Sequence, residues 1–274
     1  MAVKHIFTEE EINNILNLYA HNKSMLFISK EYNVGTRVIK RVLKENNISI
    51  KDNNIYKQKY FNENYFEIIT TENQAYWLGF LWGDGSVHCN KNGEYCISLH
   101  LSIDDKSHLE KFKQEINSEH KITIAKNKWG FNKNNIEPHY SCAFCIHSLK
   151  TYNDLLKYGL YNPKSKRILP KLNPALMSHF IRGYFDADGS LTINKNTKTG
   201  MVSFCGPIEI ISQIKPIIQQ HCNTKAEIYK YKTRNAADYR VGGTNNIKAL
   251  YDYLYKDATI YLERKKEKFD TLIS

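Results

Sequence analysis

Two rhythms of apolar and polar residues run along this chain, and the change from one to the other divides it. Over the first fifty residues the rhythm is helical. Thr8 precedes Glu9, Glu10 and Glu11, as an N-cap precedes an acidic first turn. Ile12, Ile15, Leu16 and Tyr19 then recur at the spacing of one helix face. A short second helix fits Met25 to Tyr32, Asn33-Val34-Gly35 reads as a tight turn, and a third helix fits Thr36 to Glu45. That third helix carries Val38, Ile39, Val42 and Leu43 on one side and Arg37, Lys40, Arg41 and Lys44 on the other. The pattern predicts a helix-turn-helix-like arm over residues 1–50 with a basic, DNA-contacting face. The polar stretch that follows, with Lys51, Asp52, Asn53 and Asn54, predicts a linker over 51–69.

From Thr70 the pattern becomes mixed helix and strand, and it occurs twice, over 70–170 and 171–274. In the first copy the apolar helix ENQAYWLGFLWGDG leads into strands at 86–90 and 95–102 and a helix at 104–117. Strands near 120–128 and 139–147 and a helix near 149–158 complete it. In the second copy PALMSHFIRGYFDADG leads into strands at 190–195 and 200–205 and a helix at 207–221. Strands at 225–232 and 237–242 and C-terminal helices follow. The order αββαββα twice over predicts an α+β fold of two related halves behind the helical arm.

Each half's first helix has a physical peculiarity. Gly79 and Gly83 in one, Gly183 and Ala187 in the other, are four residues apart and share a face. Two such faces predict two helices crossing at backbone distance. Gly85 and Gly189 are expected in the left-handed position just past each helix. Asp84 and Asp188 then occupy the last helical turn, where the helix dipole disfavours a carboxylate by ~0.3–1 kcal/mol. Two such carboxylates brought together also repel each other. A divalent cation relieves both penalties, and hard carboxylate and carbonyl oxygens suit Mg²⁺.

Charge adds a partner. With 39 Lys+Arg against 28 Asp+Glu the chain carries a net +11, which implies a polyanion: nucleic acid first, an anionic membrane second. No run approaches the ~20 apolar residues of a membrane span. The start MAVKHIFTEEEINN is polar and acidic where a signal peptide is apolar, so cytoplasmic residence is expected. The six cysteines include one CxxC, Cys142 and Cys145, read as reduced, partly buried thiols. A zinc site would have to join that pair to Cys89 and Cys96 from another hairpin.

WLGFLWGDG and IRGYFDADG resemble the two copies of the LAGLIDADG motif of homing endonucleases, and the resemblance extends from about Thr70 to the C-terminus. It implies a pseudo-two-fold saddle of antiparallel sheets, working as a monomer because both motifs lie in one chain. It implies cleavage of both strands of double-stranded DNA with Mg²⁺ or another divalent ion such as Mn²⁺. Carried over, Asp84 and Asp188 are the metal-binding acids, and the carbonyls of Gly83 and Ala187 complete the metal shell. The sixth motif position is Asp186 in copy two but Trp82 in copy one, a departure that concerns packing more than chemistry. The family often supplies a lysine late in each half. Lys164 in NPKSKR and Lys265 in YLERKKEKF follow the two acids at similar distances and are the candidates for catalytic assistance.

Strand alternation then assigns faces. Val87, Cys89, Ile97, Leu99, Leu101, Leu191 and Ile193 point to the core. Ser86, His88, Asn90, Ser98, His100, Ser190, Thr192 and Asn194 point outward, with Lys230, Lys232, Asp238 and Arg240 on later strands. Apart from Asp238, these outward residues are the expected contacts to DNA, because a two-stranded ribbon fits the major groove. Two other functions use the same scaffold: a non-cleaving DNA-binding regulator, and an RNA maturase with intron RNA as its partner.

Overall fold

The computed structural model describes residues 6–21, 23–50, 60–90, 93–127, 139–194 and 199–273. The chain divides into two compact units, Met1–Lys59 and Tyr60–Ser274.

Among its described residues the first unit holds three helices: α1 (Glu9–Ala20), α2 (Met25–Glu31) and α3 (Thr36–Glu45). Thr8 and Glu11 close a reciprocal capping box at the head of α1. Asn33 takes a positive φ of 48° in the turn between α2 and α3, a conformation that asparagine tolerates better than most residues. Ile15, Tyr19, Ile28, Ile39, Val42 and Leu43 form the core. Arg37, Lys40 and Lys44 are exposed on the other side of α3. Arg41 is half-buried and lies 3.8 Å from Glu45.

The second unit repeats one topology. Its elements are α4 (Glu72–Asp84), β1 (Gly85–Cys89), β2 (Tyr95–Ser102), α5 (Lys106–Glu115), β3 (Thr123–Asn127), β4 (His139–His147) and α6 (Leu149–Lys157), and then α7 (Pro174–Asp188), β5 (Gly189–Ile193), β6 (Gly200–Gly206), α8 (Ile208–His221), β7 (Ile228–Lys230), β8 (Ala237–Gly242), α9 (Thr244–Tyr255) and α10 (Glu263–Ile273). Each half makes a four-stranded antiparallel sheet, β1-β2-β4-β3 and β5-β6-β8-β7. The α+β class and the doubled αββαββα order are as expected, and positions 128 and 195 of the expected strands lie outside the described residues.

Glycine decides how α4 meets α7. A Cβ on Gly79 would stand 1.9 Å from the Phe180 carbonyl oxygen, and one on Gly183 would stand 2.0 Å from that of Tyr76. At Gly83 it would meet the Ala187 methyl at 2.3 Å. The helices therefore cross with backbone against backbone, along the four small residues read from the sequence. Around the crossing, Tyr76, Trp77, Leu78, Phe80, Leu81, Phe180, Ile181 and Phe185 are fully buried in one continuous core.

Four expectations need correction. Residues 60–69 are not linker: Phe61, Tyr65, Phe66 and Ile69 are buried in the large core, because aromatic residues among the polar ones supply an apolar face. Lys51 to Asn54 lie outside the described residues. Gly85 and Gly189 are extended rather than left-handed, with φ of −74° and −79°. They are glycine for want of space, since a Cβ would lie 2.4 Å from the Leu81 carbonyl oxygen or 2.2 Å from the Phe185 ring. Cys89 is exposed at the end of its short strand, although it shares a face with the buried Val87. Ser98 and Asp238 lie on the outward faces yet are only 6% exposed. Ser98 is flanked by Ser86 and Cys145 on the neighbouring strands, and Asp238 lies beneath Tyr231 and Arg240, which hydrogen-bond to it.

Candidate active site

The two acidic residues end the two crossed helices. Asp84 is the last residue of α4 and Asp188 the last of α7, and each sheet begins at the next residue without a loop. The Gly83–Ala187 contact fixes the separation of the two helix ends. A Cβ at Gly83 would stand 3.5 Å from the Asp188 backbone nitrogen, so the second acid begins beside the first. The electrostatics follow. Burial, and then the Asp188 carboxylate, push the Asp84 carboxyl up to about 6, while Lys164 and Lys265 pull it down.

The two lysines occupy different positions. Lys164 lies in the one-turn helix Lys164–Lys166, and its Nζ reaches across the halves to Asp188 Oδ2 at 3.0 Å. It remains 36% exposed, so its charge faces both the acid and the approach to it. Lys265 is 5% exposed. Its Nζ donates to the carbonyls of Phe185 at 2.7 Å, Ala187 at 3.3 Å and Gly189 at 2.7 Å. A buried ammonium thus closes the C-terminal end of α7, where helix carbonyls otherwise lack donors. Burial pushes this amine down to about 8 despite the attraction of Asp186.

The counterpart of Lys265 is Arg167, not Lys164. Arg167 is 1% exposed and donates to the carbonyls of Trp82, Gly83 (3.4 Å) and Gly85 (2.6 Å) at the end of α4. Sequence reasoning passed over it because it paired the first lysine of one basic run with the middle of the other. The available signal was an arginine ending a basic run immediately before the apolar Ile168-Leu169.

The sixth motif positions both belong to the interior. Asp186 is buried and accepts from the hydroxyls of Tyr76 (2.9 Å) and Tyr255 and from the Leu262 backbone N–H (2.8 Å). Trp82 replaces that network in the other half. It packs edge-on against Phe180 and Tyr184 and donates its indole N–H to the Gly159 carbonyl at 3.4 Å.

On the outward sheet faces His88, Asn90, His100, Ser190, Thr192, Asn194, Lys230 and Arg240 are exposed. Ser86 is partly covered and accepts from Asn162 at 3.4 Å. Lys232 is exposed in the turn after β7, which is only three residues long. Arg240 leans on the Tyr229 ring, 4.8 Å from its centroid, and holds Asp238.

The donor set suits a hard divalent cation. Two carboxylates converge and repel, one held by a lysine, and the carbonyls of Gly83 and Ala187 are oxygen donors beside them. Those carbonyls already accept long hydrogen bonds from Arg167 and Lys265, which hold them in place.

Models of known protein families and curated protein sequences give no match to this chain. Solved structures do. The chain is similar to the meganuclease I-SmaMI bound to uncleaveable DNA, with 14% identity, 74% of this chain and 90% of that one covered, and a TM-score of 0.49. It is similar to the LAGLIDADG meganuclease I-AabMI bound to uncleaved DNA, with 14% identity, 74% and 89% coverage and a TM-score of 0.48. It is also similar to the LAGLIDADG homing endonuclease I-GzeII in complex with its DNA target, with 14% identity, 72% and 88% coverage and a TM-score of 0.49. These similar structures are meganucleases and homing endonucleases of the family whose paired motif this sequence resembles.

Proposed function

We propose that this chain is a site-specific endonuclease that cuts both strands of double-stranded DNA with a divalent metal ion, leaving a staggered break. The observation that carries the reading is the pair of acids at adjacent helix ends. Asp84 and Asp188 are the terminal residues of two helices locked in backbone contact, and each stands at the head of its own sheet. Each acid serves one strand, and the sheet beside it reads the flanking half of the site.

Asp84 and Asp188, with the carbonyls of Gly83 and Ala187, would hold Mg²⁺ or Mn²⁺. Bound there, such an ion would supply charge neutralisation at the scissile phosphate and a lowered pKa for the attacking water. The protein's own residues do the rest. Lys164 offers a cation beside Asp188 to the negative charge that develops on the phosphate. Arg167 and Lys265 act as positioning residues by holding the carbonyl ends of α4 and α7. The exposed Ser, Thr, Asn, His, Lys and Arg side chains of the sheets supply donors and acceptors for base edges and phosphates. The basic face of α3, with Arg37, Lys40, Arg41 and Lys44, adds phosphate contacts.

The test is incubation with Mg²⁺ and a library of DNA sites, followed by sequencing of the ends. Defined breaks that vanish in Asp84→Asn and in Asp188→Asn support the enzyme. Tight, sequence-selective binding without breaks under any divalent metal would instead make the chain a regulator. Tighter binding to an intron transcript than to any duplex would make it a maturase.

A further inference from the structure

A second cluster of ligating side chains lies on the outward face of the first sheet. Cys96 on β2 and Cys145 and His147 on β4 bring one donor atom each to within 4.8 Å of one another. The register explains why. Cys96 stands directly opposite His147, and Cys145 lies two residues before His147 on the same strand and therefore on the same face. His88 on β1 is the partner of Cys96 on the other side. The row His88–Cys96–His147 thus crosses three strands, with Cys145 diagonal to Cys96. The CxxC spacing had suggested a different set. Three residues along a strand reverse the face, so Cys142 is 1% exposed in the core and donates toward the Leu101 and Ser102 carbonyls.

We infer that Cys96, Cys145 and His147 form a binding site for a thiophilic d¹⁰ metal ion of the zinc class, with the exposed His88, whose ring lies outside that 4.8 Å group, turning in as fourth ligand. The chemistry is that of a Cys₂His₂ tetrahedron. With metal–sulfur and metal–nitrogen bonds of ~2.3 and ~2.1 Å, a tetrahedron needs a sulfur–nitrogen edge of roughly 3.6 Å. Cys145 Sγ and His147 Nε2 are 3.6 Å apart. The two sulfurs, at 2.7 Å, have to open by roughly 1 Å to span the ion. Both cysteines are free of disulfides, so their sulfurs are open to a metal that displaces the thiol protons.

The site is distinct from the acidic one in place and in ligand class. β1 leaves Asp84 at Gly85, and three further residues put His88 about 10 Å along the strand. Metal there pins β1, β2 and β4 together at the end of the sheet away from the acids. It also withdraws His88 and His147 from any contact with a bound polymer. The inference does not depend on the nuclease reading.

Cobalt(II) titration of the reduced, metal-free full-length protein tests it, with zinc competition afterwards. The expected result is one equivalent of Co²⁺ giving thiolate charge-transfer bands and intense tetrahedral d–d bands, both abolished by zinc. Cys96→Ser and Cys145→Ser should remove the charge-transfer intensity or weaken binding at least about tenfold. Cys142→Ser and Cys205→Ser should leave the spectrum unchanged. His147→Ala, an exposed position that leaves both thiols and the fold in place, should also weaken binding by about tenfold or more. Absence of the bands in reduced protein overturns the proposal, as does their survival in both Cys96→Ser and Cys145→Ser. Affinity unchanged in His88→Ala overturns His88 as the fourth ligand.

Discussion

Asp84 is an acid whose position works against its own charge. Burial and the neighbouring Asp188 raise its carboxyl from 3.8 to about 6, so the folded protein binds a proton there more tightly than the unfolded chain does. For a raised carboxyl pKa the linkage runs one way. The contribution is fully present below about pH 4 and is lost as pH rises through about 6. We predict that metal-free protein loses on the order of 1–3 kcal/mol across that window relative to Asp84→Asn, whose stability lacks the slope. Denaturant melts at several pH values measure it, and a slope equal in the two proteins contradicts the account. At neutral pH, Mg²⁺ should raise the thermal midpoint of the wild type but not of Asp84→Asn or Asp188→Asn.

The three basic residues of the site separate by the same reasoning. Lys164 is partly exposed and makes one ion pair, so Lys164→Met should change stability by less than about 1 kcal/mol while slowing cleavage on the order of a hundredfold. Arg167→Met leaves several buried carbonyls without donors and should cost on the order of 2–4 kcal/mol in a denaturant melt. Lys265→Met should behave like Arg167→Met. Equal stability losses at Lys164 and Arg167 would show that the division between charge donor and helix-end support is wrong.

At the scale of elements, the crossing of α4 and α7 sets the site's dimensions. Gly79→Ala places a methyl within 1.9 Å of a backbone oxygen, which no side-chain rotation relieves. It should cost about 1–3 kcal/mol and reduce cleavage by spreading the helix ends. Gly242→Ala meets nothing nearer than the Met201 methyl at 3.9 Å and should stay within about 0.5 kcal/mol of wild type. Similar melting curves for the two variants would mean that the close crossing does not hold in solution. This element was legible because small residues four apart clear a strip of backbone on an otherwise apolar helix, and only another backbone fits that closely against it. The sheets were legible from alternation, but burial on their outer faces was not. Ser98 and Asp238 alternate correctly and are covered all the same, Ser98 between Ser86 and Cys145 on the neighbouring strands and Asp238 by the longer side chains of Tyr231 and Arg240.

At the scale of the whole molecule, two separate hydrophobic cores predict two separable contributions to DNA binding. Residues 60–274 contain the acids, both sheets and a complete core. Removing residues 1–59 should therefore weaken binding and lower the salt dependence of affinity, while the cut positions stay the same. End sequencing of cleaved product decides it, and a shifted cut would place the arm in site selection.

Local and periodic information was present in the chain itself: the helices and strands, the doubled topology, the glycine seam and the two acids that end it. These depend on neighbours a few residues apart or on a repeat whose two copies align directly. What tertiary structure alone decided depends on partners far along the chain. Arg167 reaches Leu81 to Gly85, Lys265 reaches the end of α7, and Cys96 finds Cys145 and His147. A side chain's tasks there are set by which unpaired carbonyls or thiols lie within its reach, and that distance does not exist until the distant segments of each half have folded together.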